Sequence, residues 1–323
     1  MRVLSGIQPS GRPHLGNYFG ALRQYVALQD GNEPFYFIAS YHALTAVQDA
    51  QLLREYTMGV ALDFLAIGLD PEKSALFAQQ DVPEVTELAW ILSCVTPMGL
   101  LERAVSYKDK VAQGLSPNHG LFAYPVLQAA DILIYLSDVV PVGQDQKQHL
   151  EITRDIATKF NQQFGEVFVL PEPYILDTSA VVPGIDGRKM SKSYGNEIGI
   201  FEEGSALKKK VMSIVTDSTP VEAPKDPYTS TPFLLLRLMA SPEETAEWEA
   251  RYKAGGLGYG EVKKRLLGLI DEYFAPFRER RRQLEADPDY VRDVLREGGR
   301  RARAVAQSVM ERVREATGLP TSY

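Results

Sequence analysis

Apolar positions along the chain follow two periods, and the regime changes once. Over the first 195 residues, short apolar runs alternate with stretches of helical spacing. Residues 2–7 read as a strand, and Gln8-Pro9-Ser10-Gly11 as the turn that closes it. Leu15, Phe19, Leu22, Tyr25 and Val26 then recur at helical intervals, which predicts a helix over 15–29. The apolar run 35–39 suits a buried strand. A helix over 51–67 is closed by Gly68, and a strand at 74–79 and a helix at 84–95 follow. A fourth strand at 139–142 leads into a helix over 144–164. Strands alternating with helices predict right-handed crossovers and a parallel sheet covered on both faces.

Beyond Ser193 the alternation stops. Helical spacing dominates, with candidates near 204–214, 231–239, 242–253, 259–284, 288–296 and 298–316. Gly195 and Glu202-Glu203-Gly204 mark a hinge region. The expected architecture is a doubly wound, Rossmann-like α/β domain over 1–195. A smaller C-terminal α-helical domain over 196–323 follows, with a last helix able to pack back on the first domain.

Composition narrows the class. The 323 residues are 45% hydrophobic and 24% charged, which excludes disordered, collagen-like and coiled-coil chains. Cys94 is the single cysteine, so no internal disulfide or multi-thiolate zinc site can form. Beside Trp90 and Ile91 it reads as a core thiol. The longest uncharged stretch, 111–130, is broken by Gly114, Pro117, Gly120 and Pro125 and is too polar to span a bilayer. The N-terminus carries no leader pattern, so a cytoplasmic protein is expected. The net charge of −7 looks unsuited to nucleic acid. Yet residues 261–315 carry 14 Lys and Arg against 11 Asp and Glu, leaving −10 on residues 1–260. Arg278, Arg280, Arg281, Arg282, Arg300, Arg301 and Arg303 read either as a salt-bridged helix surface or as a phosphate-contacting patch.

Two short strings carry the chemistry. Pro9-Ser10-Gly11-Arg12-Pro13-His14-Leu15-Gly16-Asn17 follows the first strand and opens the first helix. In a doubly wound sheet, ligands bind beyond the carboxyl ends of strands, where a helix N-terminus offers N–H groups to phosphate. Gly11 and Gly16 permit close backbone approach, and His14 and Asn17 can donate to phosphate or ribose oxygens. The second string is Lys189-Met190-Ser191-Lys192-Ser193, preceded by Gly184-Ile185-Asp186-Gly187-Arg188. Two ammonium groups on such a loop can neutralise charge that develops in a transferring phosphoryl group.

With these two motifs, the chain resembles the class I aminoacyl-tRNA synthetases, in which they are known as HIGH and KMSKS. His14-Leu15-Gly16-Asn17 is a variant of the first, and the second matches fully. Within the class the chain resembles the bacterial tryptophanyl-tRNA synthetases. That likeness is carried by Ser5–Gly11, Gly16–Gln24, Tyr124-Pro125, Ala129–Leu133, Val140–His149 and Val215–Ser218. It runs from Val3 to about Gly318.

The resemblance implies an ATP site of Gln8, Pro9, Ser10, Gly16 and Asn17 with Gly143, Gln144 and Asp145 at the ribose. Val181 or Val182 would meet adenine through the backbone. Lys189, Met190, Ser191, Lys192 and Ser193 would hold phosphate, with Lys192, Lys189, His14 and Asn17 as the catalytic set. Mg2+ is implied mainly on the ATP phosphates, with no protein metal motif. For the amino acid, the resemblance makes Asp131 the acceptor for an indole N–H. Only Trp among large apolar side chains supplies that donor, and a site built for it rejects analogues lacking it. Tyr124 and Gln146 would hold the substrate amino group, and Gly6, His42, Val140 and Val142 would form walls. Leu4 and Gln128 depart from the usual pattern of that pocket.

The implied activity is tryptophan activation by ATP followed by transfer to tRNA(Trp), in a homodimer whose interface includes Trp90, Ile91, Met98 and Leu100. The 196–323 domain would bind the anticodon stem. Alternatives are a tyrosyl-tRNA synthetase, a small-molecule nucleotidyltransferase, and a non-catalytic tRNA- or protein-binding paralogue. Intact His14, Asp131, Lys189 and Lys192 weigh against the last.

Overall fold

The structure, a computed structural model, describes residues 1–103, 118–142, 147–175 and 181–319. Five parallel strands form one sheet: β1 (Arg2–Ile7), β2 (Glu33–Ile38), β3 (Ala75–Ala78), β4 (Val139–Val142) and β5 (Glu172–Ile175). Their order is β3-β2-β1-β4-β5. β1 and β4 span the residues predicted for them, and β2 and β3 agree within two residues. β5 was not anticipated. Its Pro173 cannot donate to a ladder, which is tolerated because β5 is an edge strand.

Helices α1 (15–27), α2 (Ala50–Ala66), α3 (Glu84–Ser93), α4 (His119–Leu133) and α5 (Lys147–Phe164) cover the sheet. Strand side chains alternate between two apolar clusters. Tyr36, Ile38 and Leu76 join one, and Phe35, Phe37, Ala75 and Phe77 join the other. Both faces are thus buried, as a doubly wound sheet requires. β1 has β2 on one side and β4 on the other, so the crevice beyond their carboxyl ends lies where the winding reverses.

Downstream lie α6 (Gly204–Met212), α7 (Thr231–Leu236), α8 (Pro242–Ala254), α9 (Tyr259–Ala286) and α10 (Pro288–Thr317). α9 packs on α1 through aromatic edges. Tyr18 stands 5.2 Å from Phe274 and 5.6 Å from Phe277 between ring centroids, and its hydroxyl lies 3.2 Å from that of Tyr273. The contacting stretch of α1, Tyr18–Leu22, is a π-helical turn, a form often found at functional sites.

α10 is one 30-residue helix where the sequence predicts two. Gly298 and Gly299 do not interrupt it. They let it approach the sheet: a Cβ on Gly298 would lie 1.9 Å from the Leu76 carbonyl oxygen. Arg301 Nη1 donates to the carbonyls of Pro71 and Ser74 at 2.9 and 3.2 Å. Backbone bonds also cross position 195, from Leu15 N to Ile198 O (2.9 Å) and from Ile200 N to Pro13 O (3.2 Å).

The phosphate-patch reading needs correction at the buried arginines. Arg278 is buried, donating to Ile200 O and Asp271, and Arg281 is buried against Asp63 and Glu285. Arg282 pairs with Glu203 and Glu279, Arg300 with Glu297, and Arg303 with Glu84. Helical neighbours and inter-element packing supply the partners, so burial removes Arg278 and Arg281 from a phosphate-facing surface and Arg301 is held on backbone carbonyls, while Arg282, Arg300 and Arg303 are ion-paired but remain exposed. Cys94 is exposed rather than a core thiol, because Val85, Leu88 and Leu92 form the buried stripe of α3.

Candidate active site

β1 ends at Ile7, and the turn that follows feeds α1. His14 is the N-cap of that helix: its Nδ1 accepts from Asn17 N at 3.2 Å, and Asn17 Oδ1 accepts from His14 N at 3.1 Å. This reciprocal box holds both motif residues rigidly. A backbone N–H can only donate, so His14 Nδ1 is unprotonated and Nε2 carries the hydrogen. Burial first, then the Lys192 ammonium, lower the His14 pKa to about 4, so the imidazole is a neutral donor.

The lysine loop folds over this turn. Met190 is buried, its N donates to Val182 O at 2.9 Å, and its sulfur accepts from Gly16 N at 3.4 Å. A Cβ on Gly16 would stand 2.9 Å from the His14 ring and 3.4 Å from Met190 Cβ, so only glycine fits easily there. Lys192 Nζ donates to Ser10 O and Gly11 O at 3.1 and 3.0 Å. Burial lowers its pKa, while the Asp63 and Glu197 carboxylates oppose the shift. Lys192 lines two cavities. One of about 130 Å³ adds Gln8, Ser10, Asn17 and Asp63, and one of about 230 Å³ adds His14, Glu197 and Gly199.

The sequence did not single out Asn196, which staples the loop. Its Nδ2 donates to Asp186 Oδ1 (2.7 Å) and Lys189 O (3.1 Å), and its Oδ1 accepts from Ser191 N (2.8 Å). Ser191 Oγ accepts from Ser193 N at 3.3 Å. Lys189 and Ser193 are exposed, Val181 is exposed, and Pro9 is buried.

Beyond the neighbouring strand ends lies the second half of the site. Asp131 on α4 is 2% exposed. His42 Nε2 stands 2.8 Å from its Oδ2, and Gln79 Nε2 donates to Oδ1 at 2.8 Å and Oδ2 at 3.0 Å. Burial raises the Asp131 pKa, and the bonds from His42 and Gln79 pull it back. The Tyr124 hydroxyl lies 2.6 Å from His149 Nε2, and its ring meets His42 edge-on at 6.3 Å. Val140 is buried and Gln128 half-buried. Gly6 leaves room for Phe37, whose ring would lie 2.4 Å from an added Cβ. Gly143, Gln144, Asp145 and Gln146 lie outside the described residues, as does the Val142 side chain, though they follow or end β4.

The structure therefore joins Gln8, Ser10, His14, Gly16 and Asn17 with Met190 and Lys192 on one side, and His42 with Asp131 on the other. Gln79 and His149 belong to the second group and were not assigned from the sequence. Gln79 sits in an unremarkable Gln-Gln-Asp string, and only the chain's return past Asp131 gives it meaning.

Comparison with known proteins extends this geometry. Residues 1–275 match the model of the class I tRNA synthetases (W and Y). The chain is 58% identical over 319 residues to the tryptophan–tRNA ligase of Rhodopirellula baltica, covering 99% of this chain and all of that one. The crystal structure of Campylobacter jejuni tryptophanyl-tRNA synthetase complexed with ADP and tryptophan aligns at a TM-score of 0.94 and 51% identity, over 99% of this chain and 100% of that one. The synthetase of Mycoplasma pneumoniae aligns at a TM-score of 0.84 and 29% identity, over 99% and 98%. By sequence over most of its length, and by fold, this chain belongs to the class I tRNA synthetases of the tryptophan and tyrosine family.

Proposed function

We propose that the chain is a tryptophan–tRNA ligase, activating L-tryptophan with ATP and passing it to tRNA(Trp). The observation that carries this is Asp131, a buried carboxylate met by donors from His42 and Gln79. It is an acceptor in an apolar setting, suited to an indole N–H. A tyrosine phenol can also donate. The relatives at 51–58% identity over 99% of this chain carry the tryptophan name, which favours tryptophan.

In this reading, the tryptophan carboxylate attacks the α-phosphorus of ATP in line. A P–O bond forms to the carboxylate, the bond to the bridging oxygen breaks, and pyrophosphate leaves. The ribose hydroxyl of the terminal tRNA adenosine then attacks the mixed anhydride, releasing AMP. Neither step needs a covalent enzyme intermediate, so the residues position and stabilise charge. Lys192 and Lys189 neutralise the phosphates, and neutral His14 donates through Nε2. Gln8, Ser10, Gly16, Asn17 and the 143–145 segment hold the nucleotide. The C. jejuni relative with ADP and tryptophan supports both ligands.

Among the described residues no group of three or more His, Cys, Asp or Glu could hold a metal ion. The reading keeps Mg2+ on the ATP phosphates, where it would neutralise charge. The helical part from 196 onward is read as the anticodon-binding unit, with the exposed Lys208, Lys209 and Arg280 still offering cations to RNA. Trp90 and Met98, 72% and 62% exposed, favour a two-fold dimer contact. No helix among the described residues is long and apolar enough to cross a membrane, and a cytoplasmic location is part of this reading. The test is charging of tRNA(Trp) transcript with labelled tryptophan against labelled tyrosine. Charging with tryptophan alone supports it, and charging with tyrosine alone refutes it.

A further inference from the structure

Three elements converge on Asp131. His42 comes from the helical turn Ser40–Ala43 after β2, Gln79 from the turn Gln79–Asp81 after β3, and Asp131 from α4. All three side chains are buried, Gln79 to 2% exposure. The orientation of the Gln79 amide is fixed by its other end, because Oε1 accepts from Tyr41 N at 2.9 Å. A backbone N–H cannot accept, so Oε1 faces Tyr41 and the NH2 group faces the carboxylate.

We propose that Gln79 is a positioning residue for amino-acid selection, holding Asp131 as an acceptor reserved for the indole N–H of the substrate. The inference rests on the reading of Asp131 as the indole contact. A carboxylate has about four lone-pair sites. Gln79 Nε2 occupies one on each oxygen, and His42 Nε2 occupies a second on Oδ2. One site on Oδ1 remains, so a substrate donor has a single place to bind. Burial alone favours the neutral acid, whose O–H would face the indole N–H donor to donor. The amide donor from Gln79 disfavours that form. Removing it leaves a carboxyl group that rotates or protonates, and the site no longer distinguishes a substrate with an N–H from one without.

The test compares tryptophan with β-(benzothiophen-3-yl)alanine, in which sulfur replaces the indole N–H at nearly the same shape. Substrate-dependent pyrophosphate exchange gives kcat/KM for each, and their ratio measures reading of the donor. Gln79→Met, similar in volume, should lower that ratio by about tenfold or more. The KM for ATP should stay within about twofold, since the lysine loop is untouched. Gln79→Asn, polar but one methylene shorter, should lose selectivity in the same direction and serves if the Met variant does not fold. An unchanged ratio in either folded variant overturns the proposal, including the case where both substrates lose activity equally. Asp131→Leu, which has no acceptor, separates the two claims. If it leaves the ratio at the wild-type value, the indole contact itself is wrong. If it collapses the ratio while the Gln79 variants do not, only the role of Gln79 falls.

Discussion

Acidification should weaken the fold through His14, by an amount the structure sets. The free imidazole titrates near 6.5, whereas burial and Lys192 hold the folded one near 4. Between those values the unfolded chain binds more protons, so lowering pH favours unfolding. The stability that His14 contributes is complete above about pH 6.5 and lost as pH falls toward the folded pKa. Each unit of difference is worth about 1.4 kcal/mol, so the loss totals about 3 kcal/mol. His14→Asn removes the titration but keeps an N-cap acceptor for Asn17 N. Urea unfolding at half-unit steps from pH 7.5 to 4 gives both curves, and their difference isolates His14 from every other titrating group. The wild-type curve should fall more steeply, the gap changing by about 3 kcal/mol between pH 7 and 4. Parallel curves would refute the claim of a neutral, buried imidazole, as would an NMR titration of His14 near its free value. In the proposed reading ATP would meet an uncharged donor at this position, and the positive charge would come from the lysine loop.

Lys192→Ala should slow tryptophan-dependent pyrophosphate exchange by about 10²-fold or more, the cost of one transition-state charge contact, with tryptophan affinity nearly unchanged; a rate near wild type removes the role given to the loop. Arg281→Met strands Asp63 as a buried, unpaired carboxylate, so it should cost about 3–5 kcal/mol in chemical denaturation; normal stability would show that the pair is dispensable. Gly298→Ala gains about 1 kcal/mol of helix propensity but drives a methyl into the Leu76 carbonyl, so the melting temperature should fall, and a rise would mean that α10 does not lie against β3 as described. Light scattering should give about 72 kDa, twice the chain mass of 36.0 kDa, and a concentration-independent monomer would refute the dimer contact at Trp90.

Local signals were legible and long-range ones were not. β1 and β4 could be read to the residue because apolar runs with turn residues at their ends leave little choice. β5 could not, because Glu172 and Pro173 imitate a loop, and only its place at the sheet edge makes Pro173 acceptable. The sequence divides this stretch into helices at 288–296 and 298–316, and Gly298-Gly299 at the junction is locally unfavourable to a helix, since glycine destabilises helix interiors. What it gains, close approach to the Leu76 backbone, is a tertiary fact. The same holds for charge. Arg278, Arg281 and Arg301 counted toward a basic patch until their partners at Asp271, Asp63, Pro71 and Ser74 came into contact with them. Within the site, His14, Gly16, Asn17, Met190 and Lys192 were legible because they sit in short contiguous strings. Gln79 and Asn196 act across distances the sequence does not display, and each became visible only through the atoms its amide satisfies.

The central claim is that this site activates tryptophan, selected by a buried acceptor. Amino-acid-dependent exchange of labelled pyrophosphate into ATP, run with tryptophan, tyrosine and phenylalanine at equal concentration and without tRNA, tests it most directly. The account predicts exchange with tryptophan, and with phenylalanine about 10⁴-fold lower in kcat/KM, because phenylalanine leaves Asp131 without its donor. Exchange supported equally by phenylalanine, or by tyrosine in preference to tryptophan, would contradict it.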